Sequence, residues 1–118
     1  MINGTHVMLY SRDADADRAF LRDMLGFAGV DAGDGWLILK LPPAELGVHP
    51  TEGETAQELY LMCDDLVVTL EELETKGVKT SGVPADRGWG LVASITLPSG
   101  AELPLYEPRH PVAHELSS

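Results

Sequence analysis

The feature that most constrains this chain is an internal echo. The stretch Glu58 to Asp65, Glu-Leu-Tyr-Leu-Met-Cys-Asp-Asp, repeats in kind the stretch His6 to Asp13, His-Val-Met-Leu-Tyr-Ser-Arg-Asp. Each opens on a polar side chain able to bind a metal, passes through alternating residues, and ends on an acid ahead of an apolar helical pattern. Successive strand residues point to opposite faces, so His6, Met8 and Tyr10 share one side and Val7 and Leu9 the other. Glu58, Tyr60 and Met62 divide from Leu59, Leu61 and Cys63 in the same way.

The echo extends along both halves. After the first run, Asp13, Asp15 or Asp17 can cap a helix over about 14–25, whose Ala16, Phe20, Leu21, Met24 and Leu25 form an apolar stripe ending at Gly26. The turn-rich Gly29 to Gly35 leads to a strand over Trp36 to Leu41, stopped by Pro42-Pro43, and a short strand over Ala44 to His49. Pro50 to Thr55 has the polarity of a surface connection. In the second half a helix begins near Asp65, with Leu66, Leu70 and Leu73 at helical spacing and Gly77 where Gly26 stood. Strands follow over Val78 to Val83, Trp89 to Leu97 and Ala101 to Glu107. The offset between landmarks holds: His6 and Glu58 are 52 apart, Gly26 and Gly77 51, Trp36 and Trp89 53. Module one covers about 5–50, module two about 57–108, and the tail 109–118 is expected to fray.

With 118 residues and 44% hydrophobic content, one domain is expected. A formal charge of -11 argues against nucleic acid or anionic membrane as partners, and no apolar run is long enough to span a bilayer. A cytoplasmic protein is the expectation. The lone Cys63 reads as a packed thiol. No phosphate-binding glycine loop, nucleophile elbow or Cys-x-x-Cys pair is present.

Two βαβββ modules, each with a polar residue opening its first strand and another near the end of its last, resemble the vicinal oxygen chelate superfamily. Its members include glyoxalase I, extradiol dioxygenases and bleomycin-resistance proteins. The resemblance covers residues 5 to 108 and implies an α+β fold in which the modules form a curled mixed sheet, with a concave cup and helices on the convex face. It also implies ligand positions at His6, His49, Glu58 and Glu107 for a divalent metal: Fe2+, Mn2+, Ni2+, Co2+ or Zn2+. A dioxygenase-like pattern has His where Glu58 stands; a glyoxalase-like one has a carboxylate at His49 and His at Glu58. A one-residue shift of register exchanges Gln57 for Glu58 in the cup. Each candidate also has a structural reading: His6 as a strand-edge histidine, His49 as a surface residue, Glu107 as a solvated carboxylate.

Two functions follow from the resemblance. One is a metal-dependent enzyme that polarises vicinal oxygens of a small substrate, as a lyase or isomerase or as an extradiol-type dioxygenase, with Glu58 as ligand or general base. The other is a metal-free protein that sequesters an antibiotic or metabolite. In either, Met8, Tyr60, Met62, Trp36, Trp89 and Arg87 are candidates to line the pocket, and a homodimer is expected from family habit.

Overall fold

Asp13 ends the first alternating run and starts the first helix, its carboxylate accepting from the Ala16 N–H at 3.3 Å. The computed structural model describes Met1 and residues 6–54 and 56–116. Ile2 to Thr5, Thr55, Ser117 and Ser118 lie outside the described residues; they include the expected start of the first strand, the end of the connection and the tip of the tail. Helix α1 spans Ala14–Asp23. Strands β1 (Gly29–Asp31) and β2 (Leu37–Leu39) then form an antiparallel hairpin, with Val30 opposite Ile38. The turn between them closes through the Asp31 carboxylate, which accepts from the Gly33 N–H at 2.7 Å.

The second half builds the larger unit. Strand β3 (Leu61–Met62) precedes helix α2 (Leu66–Thr75), and β4 (Ala85–Asp86), β5 (Gly90–Thr96) and β6 (Glu102–Pro108) follow. They form a four-stranded sheet in the order β3-β6-β5-β4, with β3 parallel to β6 and the other pairs antiparallel. Asp65 caps α2 by accepting from the Val68 N–H. At its other end Gly77, at φ 84°, turns the chain so that the Val78 and Gly77 N–H groups reach back to the Leu73 and Glu74 carbonyls. Gly90 is required for a different reason: a Cβ there would lie 2.6 Å from the Glu107 carbonyl oxygen on the neighbouring strand.

The core lies between α2 and one face of this sheet. Leu66, Leu70 and Leu73 of the helix pack on Ala93 and Ile95 of β5 and Leu103 and Leu105 of β6, joined by Val78 and Leu97. Leu66 and Ile95 are fully buried. From α1, Phe20, Leu21 and Met24 add partly buried surface to the same cluster, and Leu25 just beyond the helix does so too.

The chain is α+β as expected, with two helices and two sheets that do not close into a barrel. Module two follows the expected order of strand, helix and three strands, although Val78 to Val83 contributes only a bridge from Thr80 to Ile95 and the intervening strand is β4. Module one differs more. His6 to Tyr10 and Ala44 to His49 carry alternating or apolar residues but no strand, and β1 occupies residues read as turn. A strand exists only where a neighbour takes its backbone hydrogen bonds, and among the described residues these segments have none; Tyr10, Leu46 and Val48 are correspondingly exposed.

A buried carboxylate ties the halves together. Asp17, 6% exposed, turns inward from the first turn of α1 instead of capping it. It accepts from the Ser99 N–H at 3.0 Å, the Ser99 hydroxyl at 2.8 Å and the Ser11 hydroxyl at 2.7 Å. Hydrogen bonds to a buried charge contribute more than neutral ones, so Asp17→Ala is expected to lower stability by roughly 2–3 kcal/mol in denaturant unfolding. Hydrogen exchange should show α1 loosening before α2.

Candidate functional site

The open face of the four-stranded sheet follows from the period of two along β6. Leu103 and Leu105 are buried towards α2, so Tyr106 stands on the other face, opposite Val92 of β5 and Met62 of β3. Tyr60 and Trp89, each just before its strand, close around it. The Tyr106 ring centroid is 5.5 Å from Tyr60 and 5.6 Å from Trp89, and Tyr60 and Trp89 are 6.4 Å apart, all edge to face. Each such pair contributes about 0.5–1.5 kcal/mol beyond burial, so the cluster is a stiff platform. It is also accessible, Trp89 being 48% exposed.

Carboxylates fringe the platform. The Tyr60 hydroxyl donates to Glu58 at 3.3 Å, and the Tyr106 hydroxyl to Glu45 at 3.4 Å. Burial raises the pKa of both phenols above the ordinary tyrosine value, and the neighbouring carboxylates raise it further; the Arg87 charge opposes this at Tyr60. Both phenols therefore remain protonated donors at neutral pH.

Glu45 also holds the C-terminal segment, which was expected to fray. Its carboxylate accepts from the Ala113 N–H at 2.8 Å and the His114 N–H at 3.4 Å, at the start of a 3-10 turn, Ala113–Glu115. His110 Nε2 lies 3.8 Å from the same carboxylate and 3.4 Å from the Tyr106 hydroxyl. Arg109 pairs with Asp86 at 2.8 Å and donates its backbone N–H to the Trp89 carbonyl. Residues 109–116 thus run along the platform's edge. Burial pushes the Glu45 pKa up, but the Ala113 and His114 N–H groups, His110 and the Tyr106 hydroxyl together hold it below the ordinary value.

The residues singled out from the sequence divide between places. Tyr60, Met62 and Trp89 meet on this face, with Glu58 and Arg87 at its border. Trp36 packs instead under Arg18, whose guanidinium carbon lies 4.9 Å from the ring centroid. Met8 and His6 lie exposed in the segment without strand structure. His49 is exposed, and its Nδ1 lies 2.8 Å from the Pro50 carbonyl oxygen.

Glu107, expected in the cup, lies on the α2 side of the sheet. It shares a face with Leu103 and Leu105, and its carboxylate accepts from the Leu66 N–H at 3.0 Å, beside the Asp65 cap of α2. A carboxylate at a helix N-terminus satisfies an otherwise unpartnered donor and meets the positive end of the helix dipole. The donor set does not fit a metal ion: among the described residues no three His, Cys, Asp or Glu side chains come together to hold one. The platform face of β6 offers Pro104, Tyr106 and Pro108, none of them a metal ligand of the expected kind. Cys63 is a free thiol whose pKa burial raises, as a packed side chain requires.

Tyr106, Glu45 and His110 were not anticipated. Parity along Leu103, Leu105 and Glu107 was available to identify Tyr106 as the outward residue. Glu45 carried no such signal, because it belongs to a stretch without regular structure.

The chain belongs to the glyoxalase/bleomycin resistance protein/dioxygenase superfamily, whose family model matches residues 5–108. No curated protein gave a match. Among solved structures, the antibiotic-binding protein TnmS3 from Streptomyces sp. CB03234 is 24% identical with a TM-score of 0.63, over 92% of this chain and 99% of that one. A lactoylglutathione lyase from Agrobacterium tumefaciens is 19% identical with a TM-score of 0.61, over 88% and 94%. A glyoxalase/bleomycin resistance protein from Streptomyces sp. CB03234 is 24% identical with a TM-score of 0.57, over 81% and 92%. These likenesses establish a shared fold.

The lowered pKa of Glu45 has a definite sign. Docking of residues 109–116 gains from the ionised carboxylate, is fully supported above the ordinary glutamate range, and is lost as pH falls through the docked value. Amide shifts of Ala113 and His114 should report this release, in a His110→Gln background that removes the nearby imidazole. Adding Glu45→Gln should flatten the profile.

Proposed function

We propose that this protein is a metal-independent binder of a small organic molecule, which it holds on the platform of Tyr60, Trp89 and Tyr106. The observation that carries the reading is the accessible edge-to-face triad bordered by Glu45 and Glu58. Aromatic faces are electron-rich and the nearby carboxylates are acceptors only, so a planar ligand bearing a positive charge suits the surface best. The net charge of -11 draws such a ligand in. Sequestration of an antibiotic or metabolite fits this chemistry, and one structural relative is named an antibiotic-binding protein. The metal-dependent alternative asks His6, His49, Glu58 and Glu107 to converge, whereas the Glu107 carboxylate is engaged at the N-terminus of α2.

Self-association belongs to the same reading. Val7, Met8, Leu9, Leu46 and Val48 are exposed apolar residues in segments with strand-like sequence, and β3 leaves one edge of the larger sheet unpaired. A second copy would cover them. Sedimentation should give twice the 12.7 kDa chain mass; a monomer at all concentrations would count against this part.

Binding is testable with a fluorescent acridinium dye and its uncharged acridone counterpart. The cation is expected to bind more tightly, Trp89→Ala to weaken it roughly tenfold or more, as loss of a central aromatic contact does, and a chelator to change nothing. Binding that survives Trp89→Ala, or that vanishes with chelation, would refute the proposal.

A further inference from the structure

A second cavity lies on the helix-bearing side of the sheet, where the two halves of the chain meet. It is an open depression of about 350 Å³, lined by Phe20 of α1, Met24 just after it, the Lys76 to Lys79 segment after α2, and Thr96 to Pro98 at the end of β5. Its walls are mainly apolar, and Val78 and Leu97 extend them into the core. The volume is within the range of small-ligand sites, roughly 300–1,000 Å³.

The rim is chemically unlike the rest of the surface. The chain has 8 basic residues against 19 acidic ones, yet Lys76 and Lys79 both border this opening. Among the described residues neither ammonium lies in an ion pair; Lys76 Nζ donates only to the Met24 carbonyl oxygen at 3.4 Å. The nearby Glu74 carboxylate accepts from the Thr80 hydroxyl. Lysine stems can cover an apolar wall while their charged ends stay at the mouth, which leaves two unneutralised cations over a greasy interior.

We propose that this cavity binds a small amphiphile with a single anionic head, a carboxylate or sulfate on a short apolar chain. The chain would lie among Phe20, Met24, Val78 and Leu97, and the head would meet Lys76 and Lys79. This site is independent of the aromatic platform and opposite to it in charge preference. Its occupant would bridge α1 to the second half beside the Asp17 to Ser99 contact, and so brace the two halves against each other.

Decanoate and decanol serve as probes, followed by calorimetry and by methyl NMR of the full chain. Decanoate should perturb the Met24, Val78 and Leu97 methyls and bind more tightly than decanol. Lys76→Gln with Lys79→Gln should weaken decanoate roughly tenfold, as expected when both cations facing one anion are removed, and leave decanol unchanged. Met24→Trp, which fills the pocket from the first half of the chain, should abolish binding of both. Equal affinity for the two probes, decanoate binding indifferent to the lysine changes or to Met24→Trp, or perturbations centred on Met62 instead would each overturn the proposal.

Discussion

Strand β6 must serve two surfaces at once, and most of the molecule follows from that constraint. Leu103 and Leu105 have to face α2, because they complete the apolar cluster that forms the core of the second half. With that fixed, a period of two sends Pro104, Tyr106 and Pro108 to the opposite face and carries Glu107 back towards the helix. Tyr106 then becomes the centre of an aromatic platform, and Glu107 becomes a partner for the α2 N-terminus. A one-residue slip would exchange these roles and place two leucines in water, so packing of the core decides the chemistry of the open face.

The halves of the chain are alike in plan and unlike in finish. The second has an amphipathic helix, a long hairpin and a shared core, and therefore completes its sheet. The first has a helix and a hairpin of two three-residue strands, and its remaining strand-like segments find no partner within the described chain. What joins the two is largely polar at the top, through Asp17 and Ser99, and looser below, where the lysine-rimmed cavity opens. An ion or hydrogen-bond tie specifies one arrangement, whereas an incompletely packed junction leaves room for a ligand.

Family membership fixes the architecture but not the activity, since the same scaffold supports lyases and antibiotic binders. The side chains gathered on the platform suit the proposed recognition of a small molecule. Phenols held protonated, an accessible indole and two fringing carboxylates provide stacking and acceptors for positive charge. The C-terminal residues add to this by binding Glu45 and lying against Tyr106 through His110. A segment poor in apolar residues can still be held when its backbone N–H groups find a charged acceptor.

By itself the sequence determined the α+β class, the two helices with their aspartate caps and terminal glycines, and the strand alternation that groups Tyr60 with Met62. These features are local: caps, periods and turns depend on residues a few positions apart. Which strands found partners, the turn of Asp17 into the junction, the capture of the tail by Glu45 and the diversion of Glu107 to α2 were decided only in three dimensions. Each joins residues 41 to 82 positions apart in the chain or requires a neighbouring strand to accept hydrogen bonds. Such contacts are set by which apolar surfaces must be buried together, and a linear pattern does not encode that choice.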